Sequence, residues 1–226
     1  MAEIGANVAR VRARIAEAAL RSGRRPESVV LVGVTKTVGV DRIRELVASG
    51  VRVLGENRVQ EARTKVPEIP GVAWHLIGSL QRNKVKDALR WFTLIHSVDS
   101  LGLAEEISRR GAEQGGSGPA EVLIQVNVSE ETQKHGVPLE EAGRLVAQVR
   151  GLPGVRVRGL MGMAPLVDRP EEARPFFRRL REVRDRVREA LPDAGVEDLS
   201  MGMTDDFEVA IEEGATLIRV GRALFA

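Results

Sequence analysis

The sequence predicts a (β/α)8 barrel: eight parallel strands closed into a ring, each followed by a helix, with residues 1–226 forming a single domain. Three observations carry that prediction. Short apolar runs rich in β-branched residues recur eight times, near residues 30, 52, 75, 95, 124, 157, 199 and 218. Segments with helical spacing separate them. No Gly-rich dinucleotide fingerprint follows any strand, which weighs against the alternative, an open doubly wound sheet.

Residues 2–22 place Ile4, Val8, Val11, Ile15 and Ala18 or Ala19 at spacings of three and four, so an extra amphipathic helix precedes the first strand as a cap. VVLVGVTKT (29–37) reads as a strand buried on both faces, and Lys36 stands where the apolar run stops. Val40, Ile43, Leu46 and Val47 share one face of a helix over 40–49, which Gly50 ends. VRVLGEN (51–57) is a short strand, followed by a helix at 58–65, the strand AWHLIG (73–78) and a polar SLQRNK loop that opens a helix to Arg90. After TLIHSV (93–98), Asp99 and Ser100 cap a helix over 101–114 that stops at the Gly-rich GGSG.

EVLIQVNV (121–128) is the longest strand, and the loop SEETQKHG leads from it to a helix over 138–150 with proline in its first turn. VRVRGLMGM (155–163) is the next strand. In the charged helix 170–191, Phe176, Phe177, Leu180, Val183, Val187 and Leu191 form the buried stripe, and the arginines form a solvated outer face. The short strand DLSMG, the helix DDFEVAIEEG, the strand TLIRVG and a last turn RALFA complete the ring.

Composition narrows the function. Hydrophobic residues make up 43% and charged residues 29% of the 226, with a formal charge of +2, as in ordinary globular chains. Aromatic residues are only 3%, too few for the stacking surface of a nucleic-acid binder. There is no cysteine, so thiolate chemistry and disulfides are excluded, and His75, His96 and His135 are too scattered to suggest a metal site. No apolar stretch is long enough to span a bilayer and no signal core opens the chain, so a cytoplasmic location is expected.

In a barrel, the residues just after each strand meet at one mouth. They are Lys36; Glu56 and Asn57; His75 and the GSLQRNK loop; His96; Asn127 with 129–136; Met161 to Met163; Ser200 to Thr204; and Arg219 to Arg222. Phosphate sites in this fold usually sit after strands seven and eight. SMGMTDD and RVGRALF supply hydroxyl, glycine and arginine in both places. With only five lysines in the chain, a lysine at a strand end adds a Schiff-base anchor, so the expected ligand is a phosphorylated carbonyl compound. Asp205 and Asp206 read as helix-capping residues, and His96 as a hydrogen-bonded strand-end residue.

VTKT at 34–37, GENRVQEA at 55–62, WHLIGSLQRNK at 74–84, RGLMGMAP at 158–165 and SMGMTDDFEVAIEEGATLIRVGRALF at 200–225 resemble the YggS/PROSC family of pyridoxal phosphate (PLP) binding proteins over nearly the whole chain. Arg58 stands where that family often has tyrosine. The resemblance implies a barrel of the alanine racemase N-terminal domain type (fold type III of PLP proteins). It also implies a role in PLP and amino-acid homeostasis as carrier and regulator, without an established catalytic reaction. By that resemblance Lys36 holds PLP as a Schiff base. The phosphate lies against Ser200, the backbone at Met201, Gly221 and Arg222; Asn57 and His75 line the pocket, and Arg219 faces the pyridine nitrogen. The implied partners are PLP itself and PLP-dependent apo-enzymes that receive it, with the chain expected to be a monomer and to bind neither nucleic acid nor membrane.

A cationic arginine at the ring nitrogen disfavours the protonated ring that serves as an electron sink. The chain also has no tyrosine to act as a second acid/base, so carriage is favoured over turnover. The alternatives are a racemase-like PLP enzyme acting on amino acids and a Schiff-base aldolase on a phosphate-binding barrel. Lys84 and Lys134 fall on the same face as Lys36, and either could accept PLP transiently during hand-over.

Overall fold

The computed structural model describes residues 2–114, 118–129, 131 and 135–226. Its strands are β1 (Val30–Val34), β2 (Val53–Glu56), β3 (Ala73–Leu76), β4 (Leu94–Val98), β5 (Ala120–Asn127), β6 (Val137–Pro138), β7 (Val155–Gly162), β8 (Asp198–Ser200) and β9 (Leu217–Val220). The helices are α1 (Ala2–Arg21), α2 (Val40–Ala48), α3 (Val59–Lys65), α4 (Val85–Trp91), α5 (Leu101–Gln114), α6 (Ala142–Val149), α7 (Arg174–Ala190), α8 (Phe207–Glu212) and α9 (Arg222–Phe225). Neighbouring strands pair in the order β4-β3-β2-β1-β9-β8-β7-β5, and β4 pairs with β5 to close the ring. Every pairing is parallel, so the eight-stranded closed barrel is the observed fold.

Closure divides the apolar side chains by strand parity, because successive residues of a strand face opposite sides. Val32, Leu94, Leu123, Met161 and Leu217 pack together as one small cluster inside the ring. The far larger cluster lies between strands and helices and includes Leu54, Leu76, Ile95, Ile124, Leu160 and Ile218. In α7, Phe177, Leu180, Val183 and Val187 are the buried positions.

Four expectations change. The extra strand β6 pairs Val137 and Pro138 with Val126 and Asn127, and α6 begins only at Ala142, after a 3-10 turn at Leu139–Glu141. Pro138 can pair there because it lies at a sheet margin, where its missing N–H is not needed. The first helix, expected as a cap before the first strand, takes a place among the outer helices. It lies in the outer layer beside α2, α8 and α9, where Asn7 Nδ2 donates to the carbonyls of Leu224 and Ala226 (3.3 and 2.7 Å). Helix α9 has only four residues, so α1 supplies the helical cover that the last strand's own helix is too short to give. The arginines of α7 are not all a solvated face: Arg174, Arg178 and Arg181 converge on the buried Glu213 at 3.0, 3.3 and 2.8 Å. Finally, β1 ends at Val34 and Val30 is exposed, so Lys36 stands in the turn beyond the strand.

Among the described residues no helix is long and apolar enough to cross a membrane.

Candidate functional site

Two residues beyond the apolar cluster inside the ring, the inward faces of β4, β5 and β9 turn polar. Leu94 is followed by His96 on β4 and Leu217 by Arg219 on β9, while His75 on β3 and Ser200 on β8 join them. His75, His96, Ser200 and Arg219 are all buried, between 0% and 7% exposed, which places them inside the barrel. They form one chain of hydrogen bonds. Arg219 donates one N–H to Ser200 Oγ (2.6 Å) and another to the Gly162 carbonyl (3.1 Å). Ser200 Oγ lies 2.9 Å from His96 Nδ1, and His96 Nε2 lies 3.0 Å from His75 Nδ1.

The chain has a direction. Burial pushes His75 down to about 4, helped by Arg158, and holds His96 well below its ordinary value, so both rings are neutral at pH 7. Arg219 has protons only to give, so Ser200 Oγ accepts from it. Giving the hydroxyl proton to His96 Nδ1 then pairs every donor that faces another member of the chain. His96 accordingly carries its proton on Nε2 and donates to His75 Nδ1, leaving His75 protonated on Nε2. Burial pushes Arg219 down to about 10, with Asp206 acting the other way, and it remains a cation at neutral pH. His96 thus sits within β4 rather than at its end, but it is hydrogen-bonded as the sequence suggested.

The mouth above this layer holds Lys36, Gly202, Gly221 and Arg222. Lys36 is exposed in the turn after β1. Gly221 follows β9, and a Cβ there would stand 3.4 Å from that of Val34, which sets the last strand's loop against the first strand's end. Gly202 has φ +89°, and a Cβ added to it would lie 2.5 Å from that of Ala210, so only glycine lets this loop fold onto α8.

Several sequence-predicted residues are placed differently from expectation. The Ser200 hydroxyl is turned into the barrel and shared by Arg219 and His96 rather than left free for a phosphate. Met201, by contrast, packs its side chain in the helix-facing core and leaves its backbone at the mouth, in keeping with the expectation. Arg222 is exposed and paired with Asp205. Asp206 does not cap α8 through its carboxylate; it reaches back to accept the Met203 N–H at 2.6 Å and so tightens the 203–206 turn. Asn57 and Lys84 line a cavity of about 850 Å³ with Glu61, Gly78, Ser79, Asp99 and His135, beside the loops after β2 and β3. Lys134 lies outside the described residues. No group of three or more metal-ligating side chains occurs among them.

Sequence reasoning missed the coupling of Ser200 to His96. The alternation of side chains gave the signal, since Ser200, Arg219 and His96 each lie at the inward parity of their strands.

The alanine racemase N-terminal domain family matches residues 4–226. A pyridoxal phosphate homeostasis protein from Aquifex aeolicus is 44% identical over 220 residues, covering 96% of this chain and 95% of that relative. The solved structure of PipY from Synechococcus elongatus with PLP bound superposes with a TM-score of 0.82 at 37% identity, covering 96% of this chain and 100% of the other. Alanine racemase from Clostridium difficile shares the fold at a TM-score of 0.78 and 15% identity, over 100% of this chain and 59% of its own. The chain belongs to the alanine racemase N-terminal domain family and, within it, to the YggS/PROSC family of pyridoxal phosphate homeostasis proteins.

Proposed function

We propose that this chain binds pyridoxal phosphate at the barrel mouth, with Lys36 as its covalent anchor, and serves as a carrier and regulator of PLP. The carrying observation is the pairing of an exposed strand-end amine with a buried arginine that, among the described residues, makes hydrogen bonds only to neutral oxygens. PipY, similar along its full length, has a solved structure with PLP bound, and the Aquifex relative is named for pyridoxal phosphate homeostasis, which supports the reading.

The residues present fit the group. PLP, when bound, supplies an aldehyde that condenses with a lysine amine with loss of water, and a ring that can withdraw electrons. Lys36 is accessible for that bond. Arg219 is fixed by Ser200 and Gly162 and cannot deprotonate at neutral pH, so a ring nitrogen facing it would stay unprotonated and weak as an electron sink. His96 and Ser200 hold His75 as a donor through Nε2. In the loops at 201–204 and 221–223 the Met201 and Met203 N–H groups already bond to Leu217 and Asp206, which leaves those of Gly202, Thr204, Arg222 and Ala223 for a phosphate, with Ser200 acting from inside through Arg219. Arg222 must part from Asp205 before it can take an anion. No tyrosine exists in the chain to act as an opposing acid/base, which supports carriage over turnover. The fuller reading is a monomeric cytoplasmic carrier that passes PLP to apo-enzymes.

Titration of the purified protein with PLP, followed by visible absorption before and after borohydride, tests this reading. Wild type should develop a yellow band that reduction fixes to the protein, and Lys36→Ala should not. A wild-type protein that stays colourless would overturn it.

A further inference from the structure

Outside the barrel, beneath the Lys36 turn, lies a buried ionic cluster that the proposed function does not use. Lys65, at the end of α3, donates to Glu56 Oε1 at 2.7 Å, to the Thr35 carbonyl at 2.8 Å and to Glu61 Oε2 at 3.3 Å. Glu56 is fully buried, and its Oε1 also accepts the Thr35 hydroxyl at 2.6 Å. Its Oε2 is buried with no hydrogen-bond partner among the described residues. A half-satisfied buried carboxylate is a costly feature, so what the cluster holds is informative.

It holds the backbone on both sides of Lys36. Val38 N–H closes a four-residue turn onto the Thr35 carbonyl at 3.0 Å, with Lys36 and Thr37 at its centre. Thr37 has φ +63° and is the one non-glycine residue with a positive φ among those described. A left-handed third residue is the type II pattern, which asks for glycine or asparagine, and a β-branched residue there is strained. The turn persists because its groups are gripped. Lys65 takes the Thr35 carbonyl, the Thr37 hydroxyl bonds back to the Lys36 carbonyl at 2.6 Å, and Glu61 Oε2 accepts the Thr37 N–H at 3.3 Å. Burial works against the Glu61 charge, yet the Thr37 N–H and Lys65 outweigh it and hold its carboxyl below the ordinary range.

We propose that Glu61, backed by Lys65 and Glu56, is a positioning clamp that holds the 36–37 peptide in its strained left-handed turn and so fixes the direction in which Lys36 leaves the barrel wall. This rests on the reading of Lys36 as the PLP anchor. Removing the clamp lets Thr37 relax to negative φ, rotates the preceding peptide and leaves Lys36 to search for its ligand.

Lys65→Met would strand the Glu56 charge in the core and could unfold the chain, so the test uses Glu61, which is partly exposed. Three variants are compared with wild type: Glu61→Ala, Thr37→Gly and the two together. Two quantities are read: hydrogen exchange of the residue-37 amide in the PLP-free protein, and the PLP dissociation constant. Glu61→Ala should speed exchange of that amide and weaken PLP binding by about tenfold, the scale of one charge-assisted hydrogen bond. In the Thr37→Gly background, where the left-handed turn is unstrained, the same substitution should weaken binding less than about threefold. Glu61→Gln, which keeps the acceptor, should preserve most of the affinity. Unchanged exchange in Glu61→Ala, or an equal loss of affinity in both backgrounds, would overturn the clamp. If wild type bound no PLP, the exchange measurement would still decide the clamp while the binding assay refuted the anchor.

Discussion

Two layers inside the same barrel, one residue pair apart along the strands, differ in almost every physical respect. The lower layer of Val32, Leu94, Leu123, Met161 and Leu217 is wholly apolar. The upper layer of His75, His96, Ser200 and Arg219 is wholly polar, with hydrogen bonds linking all four. Both layers are buried. The apolar layer stabilises by burial alone and tolerates any side chain that fills its volume. The polar layer is held in one arrangement of donors and acceptors, because each unmade bond in it would cost free energy. The contrast separates what keeps the barrel closed from what prepares its mouth.

The largest expected effect breaks the lower layer without touching the upper. Leu123→Ala removes a fully buried side chain and should cost about 2–5 kcal/mol in urea denaturation. The folded fraction should still bind PLP with its affinity changed less than about twofold, or about 0.4 kcal/mol. A large loss of affinity at full folding would mean the two layers are not separable.

Ser200→Ala cuts the polar chain at its centre. An Arg219 N–H and the His96 Nδ1 lose their partner, and the cost should be about 1–3 kcal/mol. Nitrogen NMR of His75 and His96 should show single neutral tautomers in the wild type and mixed ones in the variant. Mixed tautomers already in the wild type would refute the assigned direction.

A third test uses pH. His75 titrates near 4 in the folded protein and near 6.5 when unfolded, and His96 is shifted in the same direction. The unfolded state therefore binds more protons between these values. Stability should be fully present above about pH 6.5 and be lost as pH falls towards 4. In His75→Gln the slope across that window should shrink, as followed by denaturant midpoints at each pH.

The smallest effect belongs to the rim. Arg222 and Asp205 are 76% and 66% exposed, so Asp205→Asn should change stability by no more than about 1 kcal/mol. If Arg222 takes the phosphate, freeing it should tighten PLP binding at low salt.

Much of this was legible in the sequence because a closed barrel obeys a simple rule. Alternation along a strand sends Leu94 and His96, or Leu217 and Arg219, to the same side, and strand ends gather at one mouth. That rule set Lys36, His75 and Arg219 among the expected mouth residues; His75 and Arg219 lie buried inside the barrel and Lys36 in the turn after β1. The bonds from the Ser200 hydroxyl to His96 and Arg219 went unseen because strand position tells where a side chain stands but not which neighbour across the ring it meets. Strand β6 was missed because two residues leave no periodic trace. The Lys65–Glu56–Thr35 contacts were missed for another reason: they run between a strand's outward face and a helix end, where neither a period of 2 nor one of 3.6 places a partner. The place of α1 depended on the shortness of α9, a relation between the two ends of the chain.

The measurement that bears most directly on the account is the site of borohydride-fixed PLP, found by peptide mass mapping of the full chain. Only five lysines compete, Lys36, Lys65, Lys84, Lys86 and Lys134, so the assignment is unambiguous. The account predicts one adduct, on the peptide containing Lys36. An adduct on Lys84 or Lys134 with Lys36 unmodified would contradict it and move the ligand away from the strand-end turn.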